Sequence, residues 1–356
     1  MRILHIAPQN VAGVPITFVR AERRLGHYSR LVTMYRDPRR YEEDVCLDLP
    51  LFHSRLVEAA KRLVSPPQRL LVSHRAPLPR ELPPVWRPTP LESILVRLRE
   101  LMWRPRVERA LRELEWQSFD VVQYDGGLDF YRDGRVARCF KAAGAKIVCC
   151  YTGSDLRTRG IVPAVDSLCD VRVTVEFDHL QLHPDIQHVF FPFEPERMPP
   201  KEEVGDGTIR IGHAPSARHA KGTEQILSAL EEVRRARPNV EIVLIENLPH
   251  RQALLLKARC DIFVDQIGDL GYGINALEAL AMGIPVATCL APGFARRYPD
   301  HPFVEVQADN LAARVLELVD DPGRRQELSE RGRRWLVEMH EASRVVRRIH
   351  RLLALA

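Results

Sequence analysis

The sequence predicts an α/β protein built from two doubly wound parallel sheets, each covered by helices. Three observations carry this. Short runs rich in β-branched residues alternate with helical patterns from one end of the chain to the other. The alternation pauses once, at the Pro-rich, charged, aperiodic stretch Phe193-Glu194-Pro195-Glu196-Arg197-Met198-Pro199-Pro200-Lys201, and then resumes as a second series. The 356 residues, 45% of them hydrophobic, suffice for two cores, at roughly 100 to 200 residues per domain. We expect a first domain over 1–196, a linker over 197–207, a second domain over 208–337, and a final helix over 338–356 that packs back on the first.

In the first domain strands are expected at Arg2 to Ala7, Ser29 to Tyr35, Val45 to Leu49, Asp120 to Tyr124, Lys146 to Tyr151, Val171 to Val175 and His188 to Phe191. An insertion over 55–115 interrupts them. Pro66, Pro67, Pro77, Pro79, Pro83, Pro84, Pro88 and Pro90 are followed by an amphipathic pattern at Ile94, Leu95, Leu98, Leu101 and Met102. Two readings stay open for it: a lid or surface anchor, and an ordinary helix packing its Leu face on the first domain.

In the second series strands are expected at Ile209 to His213, Val240 to Glu246, Asp261 to Asp265, Pro285 to Thr288 and Phe303 to Val306. The helix after the first of these carries Ile226, Leu227, Leu230 and Val233 on one face, which is core packing. From about Arg324 to Ala356 runs an Arg- and Leu-rich helical pattern, in which Gly332 predicts a break.

The net charge is +5, and residues 55–110 hold 12 basic against 5 acidic side chains. Such a local field suits an anionic membrane surface, a polyanion or a charged substrate, or is simply a solvated face. Nucleic acid is not expected, because the basic stretch lacks interleaved stacking aromatics beyond Trp86 and Trp103. Only six of the 52 basic residues are Lys. The seven Cys form no C-x-x-C and sit mostly in apolar runs, so they read as buried free thiols in a reducing compartment. With neither a secretory segment nor an 18-residue apolar run, the expected location is cytoplasmic, with any membrane contact peripheral on the inner face.

In doubly wound sheets ligands bind outside the carboxyl ends of the strands, so the loops there are where chemistry is expected. Two of those in the second domain suit an anion. Arg218 and Lys221 lie three residues apart at a helix start, where the free N–H groups already favour negative charge and a guanidinium can grip phosphate oxygens. Further on, Gly271-Tyr272-Gly273 opens the helix beginning Ile274-Asn275, whose free amides can cap a diphosphate. Glu278 lies one turn beyond Ile274 among apolar neighbours, so its carboxylate can accept hydrogen bonds from ribose hydroxyls.

These residues resemble the GT-B nucleotide-sugar glycosyltransferases of the retaining family-four (group 1) type. The likeness runs through Met1 to Ala7 with nearby Gly13, Leu25-Gly26-His27, Gly153-Ser154-Asp155-Leu156-Arg157, Ile211 to Ser216 leading to Arg218 and Lys221-Gly222, Asp261 to Gln266, and Gly271 to Val286. It implies two Rossmann-like domains facing across a cleft, an acceptor-side first domain and a nucleotide-sugar-binding second one. It also implies roles: Arg218 and Lys221 on the donor diphosphate, Gly273, Ile274 and Asn275 capping it, Glu278 on the ribose, and Gly13 letting the first domain's backbone close over the phosphates.

Two positions depart from the family pattern. Leu270, after Asp269, stands eight residues before Glu278 where the family commonly has a Glu touching the donor sugar. Thr152 stands where a His commonly follows the fifth strand. The expected function is transfer of a sugar from a nucleotide-diphospho-sugar to a glycan or glycolipid acceptor of the cell envelope, as in polysaccharide biosynthesis. The resemblance implies retention; no metal or other cofactor is expected, since Arg218, Lys221 and a helix start can stabilise the leaving diphosphate and no His, Cys or Asp cluster has metal-ligand spacing. Rival readings are an inverting transferase or sugar-nucleotide epimerase with Asp155 as general base, and a non-catalytic nucleotide-sugar binding subunit. Asp155 is thus a catalytic candidate with Arg218 and Lys221, while a capping role or an ion pair with Arg157 are its structural alternatives.

Overall fold

A computed structural model describes residues 1–37, 39–51, 78, 81–153, 155–268 and 271–355. Most of the Pro-rich part of the insertion, with Ser154, Asp269 and Leu270, lies outside the described residues, and so does the question that Leu270 raises. The chain divides into two compact units. The first comprises Met1–Leu71, Pro77–Pro192 and Val345–Ala356, and the second is centred on Phe193–Arg344.

The first unit is built on a seven-stranded sheet with the order β3-β2-β1-β4-β5-β6-β7. Its strands are β1 (Arg2–Ala7), β2 (Tyr28–Thr33), β3 (Val45–Cys46), β4 (Val121–Asp125), β5 (Lys146–Tyr151), β6 (Val171–Thr174) and β7 (Gln187–His188), all paired in parallel. The inner strands are apolar runs buried along their length, as a sheet covered on both faces requires. Helices α1 (Val14–Arg24), α2 (Pro90–Glu113), α3 (Arg135–Ala142) and α4 (Pro163–Asp166) belong to this unit. The order reverses between β1 and β4, so the loops after those two strands open the crevice of this sheet.

Helix α2 is the described part of the insertion. Thr89 caps it by accepting the Glu92 N–H, and Pro90 takes the first helical position, where its missing N–H costs nothing. The face that packs on the unit is Glu100, Trp103, Val107 and Ala110, with Trp103 donating its indole N–H to the Pro50 carbonyl at 2.8 Å. The Leu face is exposed among the described residues. Ile94, Leu98, Leu101 and Met102 are 52 to 61% exposed, and Leu91 and Leu95 are exposed beside them. At 100° per residue the two apolar stripes lie on opposite sides of the helix, and Arg97 and Arg104 flank the outer one on one edge, Arg99 and Arg106 on the other.

The second unit carries β8 (Ile209–His213), β9 (Val240–Leu244), β10 (Ile262–Val264), β11 (Val286–Thr288) and β12 (Val304–Glu305) in the order β12-β11-β10-β8-β9, again all parallel. Its helices are α5 (Arg218–Lys221), α6 (Thr223–Ala236), α7 (His250–Lys257), α8 (Ile274–Met282), α9 (Phe294–Arg297), α10 (Leu311–Asp320) and α11 (Pro322–His340). Ile226, Leu230 and Val233 of α6 are fully buried against β8 and β10 residues, as their spacing predicts.

Gly332 does not break the last helical segment. It is buried inside α11, where a Cβ would stand 2.8 Å from Leu280 Cδ2, so the glycine serves the close packing of α11 on α8. The break comes at Glu341, whose extended backbone lets Phe193 bond on both sides: its N–H to the His340 carbonyl and its carbonyl to the Ala342 N–H. Helix α12 (Ala342–Leu352) follows. All seven cysteines are free, and the Sγ atoms of Cys149 and Cys169 lie 2.9 Å apart. Among the described residues no helix is long and apolar enough to cross a membrane.

Candidate functional site

The strand order of the second unit reverses between β8 and β10, and the loops after those two strands carry the residues expected to meet an anion. His213, fully buried at the end of β8, ties the two together. One ring nitrogen meets the Val264 carbonyl at 2.8 Å and the other the Thr223 hydroxyl at 3.0 Å. Burial holds its pKa below the ordinary histidine value, so the neutral ring donates to the carbonyl and accepts from the hydroxyl.

The chain then makes the single turn α5. Gly222, at φ +70°, ends it and starts α6. The second loop lies directly on this turn: the Ile267 N–H bonds the Lys221 carbonyl, and a Cβ on Gly268 would stand 2.3 Å from the Ala220 carbonyl oxygen. Only glycine fits there.

Lys221 is half of an ion pair. Its Nζ meets Asp265 Oδ1 at 2.5 Å, while Asp265 Oδ2 accepts the Gly273 N–H at 2.9 Å. Asp265, fully buried at the end of β10, therefore fixes the ammonium and the start of α8 to each other. A Cβ on Gly273 would come 3.9 Å from Lys221 Nζ. Cation and helix N-terminus, both favourable to an anion, thus converge within one small space. Arg218 lies on the outer side of the same turn, its side chain 41% exposed, bonded to Glu224 and to Glu246 at 2.7 Å. Those two carboxylates raise its pKa, and they orient the guanidinium.

The side chains on α8 are already engaged. Asn275 donates Nδ2–H to the Ala214 carbonyl at 2.9 Å and accepts from Lys257 Nζ at 2.7 Å through Oδ1. Glu278, 4% exposed, takes Lys257 Nζ on Oε2 and His250 Nε2 on Oε1, the latter at 2.7 Å. Burial, the largest influence on its carboxyl, pushes the pKa up, but the Lys257 charge and His250 overcome it and hold it at about 2. Each carboxylate oxygen keeps a second lone pair for a ligand. Sequence reasoning missed Asp265 as a clamp, and Lys257 and His250 as partners of Glu278. The one signal for Lys257 was a lysine inside the run Ala253 to Ala258 of a chain whose cations are nearly all arginine.

In the first unit Gly13 sits after β1 at φ +72° and starts α1, with its carbonyl accepting the Thr17 hydroxyl at 2.8 Å. A side chain there would be strained by the backbone and would stand 3.3 Å from the Tyr41 ring.

Asp155, after β5, opens a π-type turn over Asp155–Arg159. Its Oδ2 accepts the Thr152 N–H at 2.9 Å and its Oδ1 the Leu156 N–H at 2.6 Å, so the carboxylate is tied to backbone on both sides of it rather than to the N–H groups two or three residues on that a helix cap takes. Burial raises its pKa, against the nearby charge of Arg159. The alternative of an Asp155–Arg157 ion pair is not what the described residues form. Arg157 is paired instead with Asp178, through two bonds, and with Glu176 at 3.0 Å, because its buried guanidinium turns toward the loop after β6. Among the described residues no group of three or more His, Cys, Asp or Glu is placed to hold a metal ion.

Comparisons with known proteins place this site in a familiar frame. Residues 242–335, which span β9 to α11 and include Lys257, Asp265 and Glu278, match the family model described as glycosyl transferases group 1. No curated protein sequence matches the chain. Among solved structures, the sucrose-phosphate synthase of Thermosynechococcus elongatus aligns with a TM-score of 0.60 at 12% identity, over 99% of this chain and 98% of that one. The Anabaena HepE protein, crystallised with UDP and glucose, aligns at 0.59 and 12% identity over the full length of both. The glycotransferase of kitacinnamycin aligns at 0.52 and 16% identity, over 99% of each chain. The protein therefore has the two-sheet α/β fold of the GT-B glycosyltransferases, and its second unit carries the glycosyl transferases group 1 segment.

Proposed function

We propose that the chain transfers a sugar, as a hexosyltransferase, from a nucleotide-diphospho-sugar to a glycan or glycolipid acceptor of the cell envelope, with retention at the anomeric carbon and without a metal. The observation that carries the reading is the convergence of the Lys221 ammonium with the open start of α8, clamped together by Asp265. A diphosphate bound there meets a cation, free amides and, on the outer side of the turn, Arg218. As the bond between sugar and diphosphate breaks, negative charge grows on the leaving group, and these fixed positive groups stabilise it without having to reorganise. Glu278, kept ionised, would accept the ribose hydroxyls one turn further along α8. The complexes that HepE forms with UDP and glucose support a donor of this class.

The outer stripe of α2 supports an acceptor at a membrane surface. Exposed Ile94, Leu95, Leu98, Leu101 and Met102 between two edges of arginine form the pattern of a helix lying in the interface of an anionic bilayer on the cytoplasmic side.

Incubation with a panel of UDP-, GDP- and ADP-sugars and product analysis tests the proposal. A new glycosidic bond with the donor's anomeric configuration is the expected result. An inverted linkage, an epimerised nucleotide-sugar, or binding without turnover would each replace it with one of the rival readings.

A further inference from the structure

Two of the six lysines in this arginine-rich chain, Lys221 and Lys257, end at the start of α8. Lys221 faces the expected phosphate position. Lys257 lies behind it, 1% exposed, with its ammonium 4.7 Å from the centre of the Phe263 ring. A buried ammonium persists only where it is fully paired. Its partners are Asn275, through Oδ1 at 2.7 Å and more weakly the backbone carbonyl at 3.4 Å, and Glu278 Oε2. Both are residues of the proposed donor site; Asn275 is held as well by the Ala214 carbonyl and Glu278 by the partly exposed His250.

We propose that Lys257 is a positioning residue for the nucleotide donor: it fixes the Glu278 carboxylate, ionised and in one orientation, where the ribose hydroxyls arrive. The inference rests on the donor-site reading above and adds a residue that reading does not contain. The charged and titratable groups facing Glu278 are Lys257 and His250, both from α7. Their roles differ. His250 sits at the helix start with its side chain 40% exposed, whereas Lys257 is the only permanent charge of the two and is sealed from water. Without it, only His250 would oppose burial, and the Glu278 carboxyl would take up a proton at a higher pH than it does now. Asn275 would keep its bond to the Ala214 carbonyl, so the loss would fall on Glu278.

The experiment is the dissociation constant of the tightest binder among UDP, GDP and ADP, measured by calorimetry from pH 5 to 8 for the parent and for Lys257→Met. The ratio of the two constants cancels the titration of the ligand's own phosphate. The expected ratio grows by about fivefold or more from pH 8 to pH 5, as Glu278 protonates in the variant alone. A ratio of one, or a ratio that is the same at every pH, overturns the proposal, since a merely structural role for Lys257 gives no pH signature.

The double variant Lys257→Met with Glu278→Gln leaves no buried unpaired charge and keeps the test open should the single variant fail to fold. Its constant should equal that of Glu278→Gln to within about twofold and show no added pH dependence, because Lys257 acts through Glu278. A further loss beyond that overturns the proposal as well. If the parent binds none of the three nucleotides, the donor reading itself falls; if it binds and Lys257→Met is unchanged, only the role of Lys257 does.

Discussion

The carboxylate of Asp265 holds Lys221 Nζ at 2.5 Å through one oxygen while its other oxygen receives the amide that opens α8. Lys221 is therefore not a free surface lysine but part of a three-point clamp joining the loops after β8 and β10. Replacing Lys221 by Ala should weaken nucleotide-diphosphate binding by about 1.5 to 3 kcal/mol, the range for a hydrogen bond to a charged group. Arg218→Ala should weaken it in the same direction. Titration calorimetry with both variants checks this, and two variants that bind like the parent would show the diphosphate to lie elsewhere.

Asp155 gives the opposite expectation. Its two oxygens are taken by the backbone N–H groups of Thr152, before the turn, and Leu156, within it, and an Asn keeps one of these two local acceptors. Asp155→Asn should keep kcat within about a factor of two, against the tenfold change that 1.4 kcal/mol in the barrier produces. A larger fall in kcat with donor binding unchanged would return Asp155 to the catalytic list and favour the general-base reading.

Helix α2 offers a test of the acceptor side. Charge reversal at Arg97, Arg104 and Arg109, all exposed, should reduce sedimentation with vesicles containing anionic phosphatidylglycerol and lower activity on a lipid-linked acceptor more than on a soluble one. Leu98→Ser with Leu101→Ser should do the same without altering charge. Equal activity losses on both acceptors, with vesicle binding intact, would separate α2 from any membrane.

A buried histidine ties stability to pH. His5 lies between Glu22 at 2.9 Å and Asp125 at 3.6 Å. Burial, the largest influence, pulls its pKa down, but the two carboxylates outweigh it and raise it to about 10. An unfolded histidine gives up its proton near pH 6.5. The stabilisation is therefore complete below that pH and fades as the pH rises toward 10. His5→Gln should cost about 3 to 5 kcal/mol at pH 6, the penalty for breaking a buried pair, and progressively less in alkaline solution. Denaturant titrations at pH 6, 8 and 10 would show the two curves converging; a constant gap would mean that His5 is neutral throughout.

Much of this architecture was legible beforehand. Each of the twelve expected strands overlaps an observed one, because strands buried on both faces read as short apolar runs that flanking helices bracket. The loops that bring Lys221, Asp265 and Gly273 together were legible because a switch-point rule singles out the loops after particular strands. What the sequence hid depends on contacts between distant segments. Gly332 reads as a helix breaker until Leu280 is seen packed against it. Trp103 and Val107 are outnumbered in α2 by apolar residues on the other face, so the pattern points to the side that is exposed among the described residues. The Lys257–Glu278 pair joins two helices 21 residues apart, and no periodicity within either helix announces it.

The central claim is a nucleotide-diphosphate site at the start of α8, and a thermal-shift screen of UDP, GDP, ADP and their sugars on the parent and on Lys221→Ala tests it most directly. At 100 times its dissociation constant one of these ligands should stabilise the parent by about 2.7 kcal/mol, with the shift cut by about half or more in Lys221→Ala at the same concentration. No shift with any nucleotide, or the same shift in both proteins, would contradict the account.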